Sequence, residues 1–195
     1  MRFLKPFIAA VTMALFFTAA PAAHAAGASV VTLNYENLIA TSDVGRDMTT
    51  KLNQIGQQLQ DQLRPEAQAI STEQQSIQQA ANGMNEQQLR ANAQLTQRIE
   101  ALQTRANAYR QREITAARDL EYTRQMTIVD FNRQITPYVR EAMEAKGANM
   151  VLDAAAARFV PEGFDITADV IQRLNQRLRT IDVRRQTAPP PQQQQ

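Results

Sequence analysis

Between Asp43 and Lys146 the apolar residues recur as thin stripes in a background of Gln, Ala, Arg, Glu and Asn. Leu52, Ile55, Leu59 and Leu63 are followed by Ile70, Ile77 and Met84, in steps of three and four and then of seven. Further on, Ile99, Leu102, Ala106 and Tyr109 keep the same spacing, as do Ile128, Phe131, Ile135, Tyr138 and Ala142. Stripes this narrow fit the seam of a coiled coil better than the broad face of a helix packed on a globular core. The pattern breaks at AANGMNEQQ, Ala80 to Gln88, where Asn82-Gly83 resists helix and favours a turn. A reversal there predicts an antiparallel helical hairpin over 43–146 with its tip near 82–85. Limbs of about 35 residues each would reach on the order of 50 Å. One continuous helix kinked at Gly83 is the competing arrangement; Asn85-Glu86, read as a new N-cap, favours the reversal. Pro65 and Pro137 fall inside the limbs and are expected to kink them. Pro65, placed opposite the neighbourhood of Leu102, would be either a hinge or a fixed bend.

The flanking segments follow other periods. Ser29 to Asn34, SVVTLN, is β-branched and puts Val31 and Leu33 on one face, which predicts a strand. Gly147 ends the second limb, and NMVLDAAAARFV after it starts as a short strand, while its DAAAAR portion is compatible with helix. Pro161-Glu162-Gly163 marks a turn. FDITADVIQRLNQRL then predicts an amphipathic helix capped by Asp165, with Ile166, Val170, Ile171, Leu174 and Leu178 on its apolar side. Residues 26–42 and 147–183 thus form a body from which the hairpin projects. Residues 184–195, ending in PPPQQQQ, read as a disordered tail. The fold class is mostly α with a small β part. Two or three short strands from one chain make no stable sheet alone, so the body should complete itself with other copies.

Residues 1–25 read as a secretory leader: Arg2 and Lys5 are the basic region, Phe7 to Ala20 the apolar core, and Ala23-His24-Ala25 the cleavage site. An apolar run of about 14 residues falls short of the roughly 20 needed to span a bilayer. The expected location is therefore beyond the inner membrane, with cleavage near Ala25. The net charge of +2 changes with it, because Arg2 and Lys5 leave and the remaining basic and acidic residues balance. Neutrality gives no footing for nucleic acid. Cleavage also removes His24, the single histidine, and the chain has no cysteine and no tryptophan. Thiolate or imidazole metal sites and histidine- or cysteine-based catalysis are thereby excluded. No cofactor and no metal are expected, and no disulfide supports the fold.

Two stretches, VVTLNYENLIATSDVGRDMTTKL (Val30 to Leu52) and GANMVLDAAAARFVPEGFDITADVIQRLN (Gly147 to Asn175), resemble the OmpH/Skp family of periplasmic chaperones. Val151-Leu152-Asp153-Ala154 and Asp165-Ile166-Thr167-Ala168-Asp169-Val170 carry the likeness most directly, and the limbs match in length and composition. The resemblance implies a homotrimer whose strands close a small β-barrel, with three hairpins around a cavity that holds unfolded outer-membrane β-barrel proteins without ATP. It also implies strand and turn, not helix, for DAAAAR.

On that footing the expected client contacts are Met84, Leu89, Arg90, Arg98, Arg105 and Tyr109, since flexible Met and long Arg stems cover apolar surface adaptably. For Leu89, Leu95 and Tyr109 the seam between the limbs is the favoured placement, since helical stripes usually pack. The expected oligomer interface is Val31, Leu33, Val151, Leu152, Ala154 and Phe159. Basic members of the family attract lipopolysaccharide or an anionic membrane surface, but this neutral chain gives no residues for such a site. Two other functions compete: a structural coiled coil that spaces or bridges envelope components, and a carboxylate hydrolase, which would need paired acids in a cleft.

Overall fold

The computed structural model describes residues 29–161 and 163–190, so the expected leader lies outside the described residues. The β-branched run near the start forms strand β1 (Val30–Leu33), with Val31, Thr32 and Leu33 buried. It pairs in parallel with β2 (Met150–Asp153), in the register Val30 to Met150 through Leu33 to Asp153. On its other edge, Thr32 N–H donates to the Phe164 carbonyl (2.8 Å) and Ile166 N–H to the Thr32 carbonyl (2.9 Å). Parallel neighbours need a long crossover. Here that crossover is nearly the whole protein.

Helix α1 (Tyr35–Thr41) starts where the Asn34 side chain accepts from Asn37 N–H, and α2 (Asp43–Ala81) where buried Ser42 accepts from Gly45 N–H (3.1 Å). A single residue separates the two helices, which forces their backbones together: a Cβ on Gly45 would lie 2.2 Å from the Ile39 carbonyl oxygen. Helix α5 (Thr167–Arg177) locks this corner. Its Thr167 hydroxyl accepts from Asn34 N–H and its Asn175 side chain from Asp43 N–H, both at 2.8 Å. These bonds satisfy backbone donors left open at the helix starts. The expected cap of α5 is corrected by one residue: Ile166 occupies the cap position and its side chain makes no capping bond, while Asp165 just before it accepts from Thr167 N–H (2.8 Å). Leu38, Val44, Ile166, Val170 and Leu174 are fully buried around Phe131 of the second limb, whose ring meets Tyr35 edge to face.

The arm consists of α2 and α4 (Ala93–Ala145), both continuous through their prolines, with a short α3 (Glu86–Ala91) at the far end. The reversal is longer than the four residues expected. Helix α2 ends before Gly83, whose φ of 81° suits glycine. Asn85 and Gln88 then build a capping box for α3, and Asn92 caps α4 by accepting from Leu95 N–H (3.1 Å). The extra turn shifts the pairing: Glu66 meets Arg105, so Pro65 sits about one helical turn beyond Leu102 on the opposite limb. Two stripe residues also leave the seam, Met84 to the tip and Ile128 to the surface. The buried line on α4 runs instead through Asp119, Thr123, Thr127, Phe131 and Ile135.

Two expectations about the ends are corrected. After β2, Ala154–Ala156 form one 3-10 turn, with the Asp153 carboxylate accepting from Ala155 N–H, and among the described residues no strand follows it apart from a single bridge between Asp165 and Thr32. The tail is not free from 184. Ile181 and Ala188 are buried, and the extended chain 179–190 lies along the arm. Asp47 accepts from Ile181 N–H and Lys51 donates to the Ile181 carbonyl; Thr123 accepts from Gln186 N–H and Asp119 from Ala188 N–H. The tail docks where α4 offers buried polar acceptors, and its backbone N–H groups satisfy them. The Ala188 N–H bond outweighs burial and, with Arg185 and Arg118, keeps the Asp119 carboxyl below the usual carboxylate range. For Asp47 burial is the largest single influence and pushes upward, but the bonds from Lys51 and Ile181 and the Lys51 charge together bring it down.

Substituting Gly45→Ala should destabilise the chain by about 3 kcal/mol, the upper range for overpacking against backbone. Chemical denaturation followed by circular dichroism would check this, with Gly56→Ala, whose Cβ would meet Leu120 at an ordinary 3.6 Å, as the tolerated control.

Candidate functional site

Two surfaces stand out, one along the arm and one at the strand body. On the distal arm the seam is sparse, with Leu59, Ile77 and Leu95 its buried apolar members. Charged pairs hold the rest. Arg98 donates to Glu73 and to Ser76, each at 2.8 Å, and Arg105 donates to Glu66 at 2.5 Å, with Arg112 at 3.6 Å from the same carboxylate. The hydrogen bond from Arg105 is the main reason the Glu66 carboxyl lies below its ordinary value, and Arg98 does the same for Glu73.

This arrangement sorts the residues expected to meet a client. Arg98 and Arg105 are engaged in stitching the limbs together, and Arg90 pairs within α3 with Glu86. Met84 is exposed at the tip, while Leu89 and Tyr109 are half-buried and Leu95 is buried in the seam. A shallow groove of about 470 Å³ lies between the limbs, with Ile70, Ile77, Ile99, Leu102 and Ala106 as its apolar lining and Arg110 at its rim. The most exposed apolar side chains on the arm are Ile114 (59% exposed) and Val129 (55%), which belong to no stripe, and beside them Ile128, which the stripes assigned to the seam. Ile114 and Val129 stand outside the three-and-four spacing that marks the seam. That spacing mismatch was the available signal.

At the body, β2 is paired on one side only, and the exposed apolar residues Met150, Leu152, Phe164 and Phe159 (81% exposed) gather beside it. A hollow of about 540 Å³ is lined there by Val30, Leu152, Ala157, Phe159, Val160 and Phe164. An open strand edge with an apolar flank is a surface that invites another chain. Of the expected interface residues, Leu152 and Phe159 lie exposed here, Val151 and Ala154 are half-buried, and Val31 and Leu33 are covered within the chain's own core. Sequence alternation placed Val31 and Leu33 on one face correctly. Their partners are Phe131, Ile166 and neighbours from the same chain.

Among the described residues no group of His, Cys, Asp or Glu is placed to hold a metal ion, and no helix is long and apolar enough to cross a membrane.

A family model described as outer membrane protein (OmpH-like) matches residues 29–174. Among solved structures, an OmpH-like protein from Caulobacter crescentus, described there as a candidate outer membrane chaperone, superposes with a TM-score of 0.69. The match covers 83% of this chain and 92% of that one at 21% identity, a level that speaks for the fold. No curated protein matches the chain by sequence.

The cross-limb pairs carry a pH signature. Glu66 and Glu73 have lowered folded values, so their contribution is complete above the ordinary glutamate value of 4.5 and is lost as pH falls below it through the folded values. Helicity of the arm followed by circular dichroism should decline over that window. In Glu66→Gln/Glu73→Gln the part of the decline due to these pairs should disappear.

Proposed function

Because the chain belongs to the OmpH-like outer membrane protein family, we propose that it is a periplasmic holdase that keeps unfolded outer-membrane β-barrel proteins from aggregating, without ATP. The observation that carries this reading is the arm itself, a long two-helix projection with Met84, Ile114, Ile128 and Val129 exposed along it. Such an arm encloses no pocket for a small substrate. It offers instead a spread of weak contacts to a chain that exposes apolar faces and unpaired strand edges. Covering half of one such isoleucine yields roughly 1 kcal/mol, so capture takes many contacts and release remains possible. Binding the unfolded client in preference to its aggregate holds it by mass action.

A cavity needs more than one arm. The half-paired β2 and its flank at Leu152 and Phe159 support a homotrimer in which strands of neighbouring copies complete the body and three arms surround the client. The contacts that best suit a client are Met84 at the tip and the exposed isoleucines. Arg98 and Arg105 act through the shape of the arm, because their charges are already paired across it. Arg90 is paired only within its own short helix and is freer to swing toward a client. A catalytic role has no support in these groups.

Diluting a urea-unfolded outer-membrane β-barrel protein into buffer containing one trimer per client should suppress light scattering from aggregates. Undiminished scattering would sink the holdase reading and favour a structural spacer. Replacing Ile114, Ile128 and Val129 together by Ser should weaken suppression about ten-fold or more, given roughly 1 kcal/mol per contact and three arms. Native mass spectrometry of the chain from residue 26 onward should show three copies, and a stable folded monomer would contradict the assembly.

A further inference from the structure

The strongest unexplained feature is the extended segment after α5. It lies beyond residue 174, where the family match ends, and its composition gives no reason for it to be ordered. Yet it is held at four backbone points by side chains of both limbs. On α2, Asp47 takes the Ile181 N–H (2.9 Å) and Lys51 gives a bond to the Ile181 carbonyl (2.6 Å). On α4, Thr123 takes the Gln186 N–H and Asp119 the Ala188 N–H, both at 2.9 Å. Asp119 is 2% exposed and Thr123 fully buried. Polar side chains in the seam of a helical pair are costly unless satisfied, and here the strap satisfies them. Arg185 adds a second bond to Asp119 at 3.1 Å.

The geometry of the strap matches the helix beneath it. Gln186 bonds at Thr123 and Ala188 at Asp119, so two strap residues advance by four helix residues. Two residues of extended or polyproline backbone span about 6 Å, and four residues of α-helix rise about 6 Å. Pro189 and Pro190 follow Ala188, and proline lacks the N–H that would need the next acceptor. Among the described residues the strap therefore grips the limbs from Asp47 to the level of Asp119. Asp119 stands next to Leu120, which faces Gly56 on α2. Pro65 lies nine residues further, about 14 Å along the helix. Beyond the strap the limbs are joined by the exposed pairs Arg105–Glu66 and Arg98–Glu73 and by a thin apolar seam.

We propose that residues 179–190 are an intramolecular splint: they cross-brace α2 and α4 over the basal part of the arm, so that bending is confined to the part carrying Pro65 and the tip. The splint sets where the arm is stiff and where it can follow the shape of what it touches. It works within one chain and does not depend on the identity of the client.

Hydrogen exchange followed by mass spectrometry on the full chain tests this. Two variants are compared with it: a stop after Leu178, and the full-length double substitution Asp119→Ala/Thr123→Val. Both should raise exchange about ten-fold in segments 47–59 and 112–127, the expected effect of losing two or more buried hydrogen bonds, while segment 66–105 changes less than about two-fold. Unchanged exchange in the basal segments of both variants would overturn the splint, as would an equal rise throughout the arm. Should the truncated chain not fold, the double substitution decides alone, since it removes the α4 anchors, without which the segment no longer bridges the two limbs, and leaves α5 and the apolar core in place.

Discussion

Strand β1 is the contact on which the rest of the molecule depends. It is four residues long, yet it takes β2 on one edge and the Phe164–Ile166 segment on the other. Both partners lie more than a hundred residues away, and closing so long a loop is entropically unfavourable. The loss is contained because the inserted residues are two helices that carry their own hydrogen bonds. It is offset because closure brings α5 against the start of α1 and α2, where Thr167 and Asn175 satisfy backbone donors that those helices leave open. Phe131, from the second limb, fills the space that results. The arm is thus rooted in the body by a core residue of its own.

From that root the arm changes character along its length. Its base has an aromatic and aliphatic core, then a stretch in which α4 presents Asp119, Thr123 and Thr127 inward; the C-terminal segment answers the first two, and Thr127 donates to the Thr123 carbonyl of its own helix. Further out, exposed ion pairs and widely spaced seam residues replace buried contacts. Partly exposed pairs contribute little and are screened by salt, so the interactions that join the limbs weaken from base to tip. A graded arm suits a protein proposed to hold chains of irregular shape, because in the proposed trimer a stiff root would keep neighbouring arms apart while a softer end would adapt. The half-open sheet meets the complementary need of a surface for joining copies.

Much of this was legible from residue patterns. The three-and-four stripes predicted two long limbs, Asn82-Gly83 the reversal, and Asp165 the start of the last helix to within one residue. These features depend on neighbours within a turn or two, and local chemistry decides them. The register of the limbs was misjudged by a turn because the Asn85–Gln88 capping box adds a small helix at the tip. Ile128 was placed in the seam by spacing, whereas Thr127 beside it is the buried residue. Hydrophobicity alone could not anticipate that exchange, since the Thr127 hydroxyl is satisfied within its own helix, at the Thr123 carbonyl.

What the sequence determined by itself is the class of the molecule: a mainly helical, cysteine-free chain with a projecting hairpin and strands too few to stand alone. Those properties follow from composition, period and caps, which are read from contiguous residues. The tertiary structure decided which side chains remain free to meet other molecules. Val31 and Leu33 are covered by the chain's own core, Arg98 and Arg105 are spent across the limbs, and Ile114, Val129 and Phe159 are left exposed. It also decided that a Pro- and Gln-rich end begins as a bound strap. A buried carboxylate such as Asp119 is tolerable only when a donor reaches it, and that donor, Ala188 N–H, lies 69 residues away.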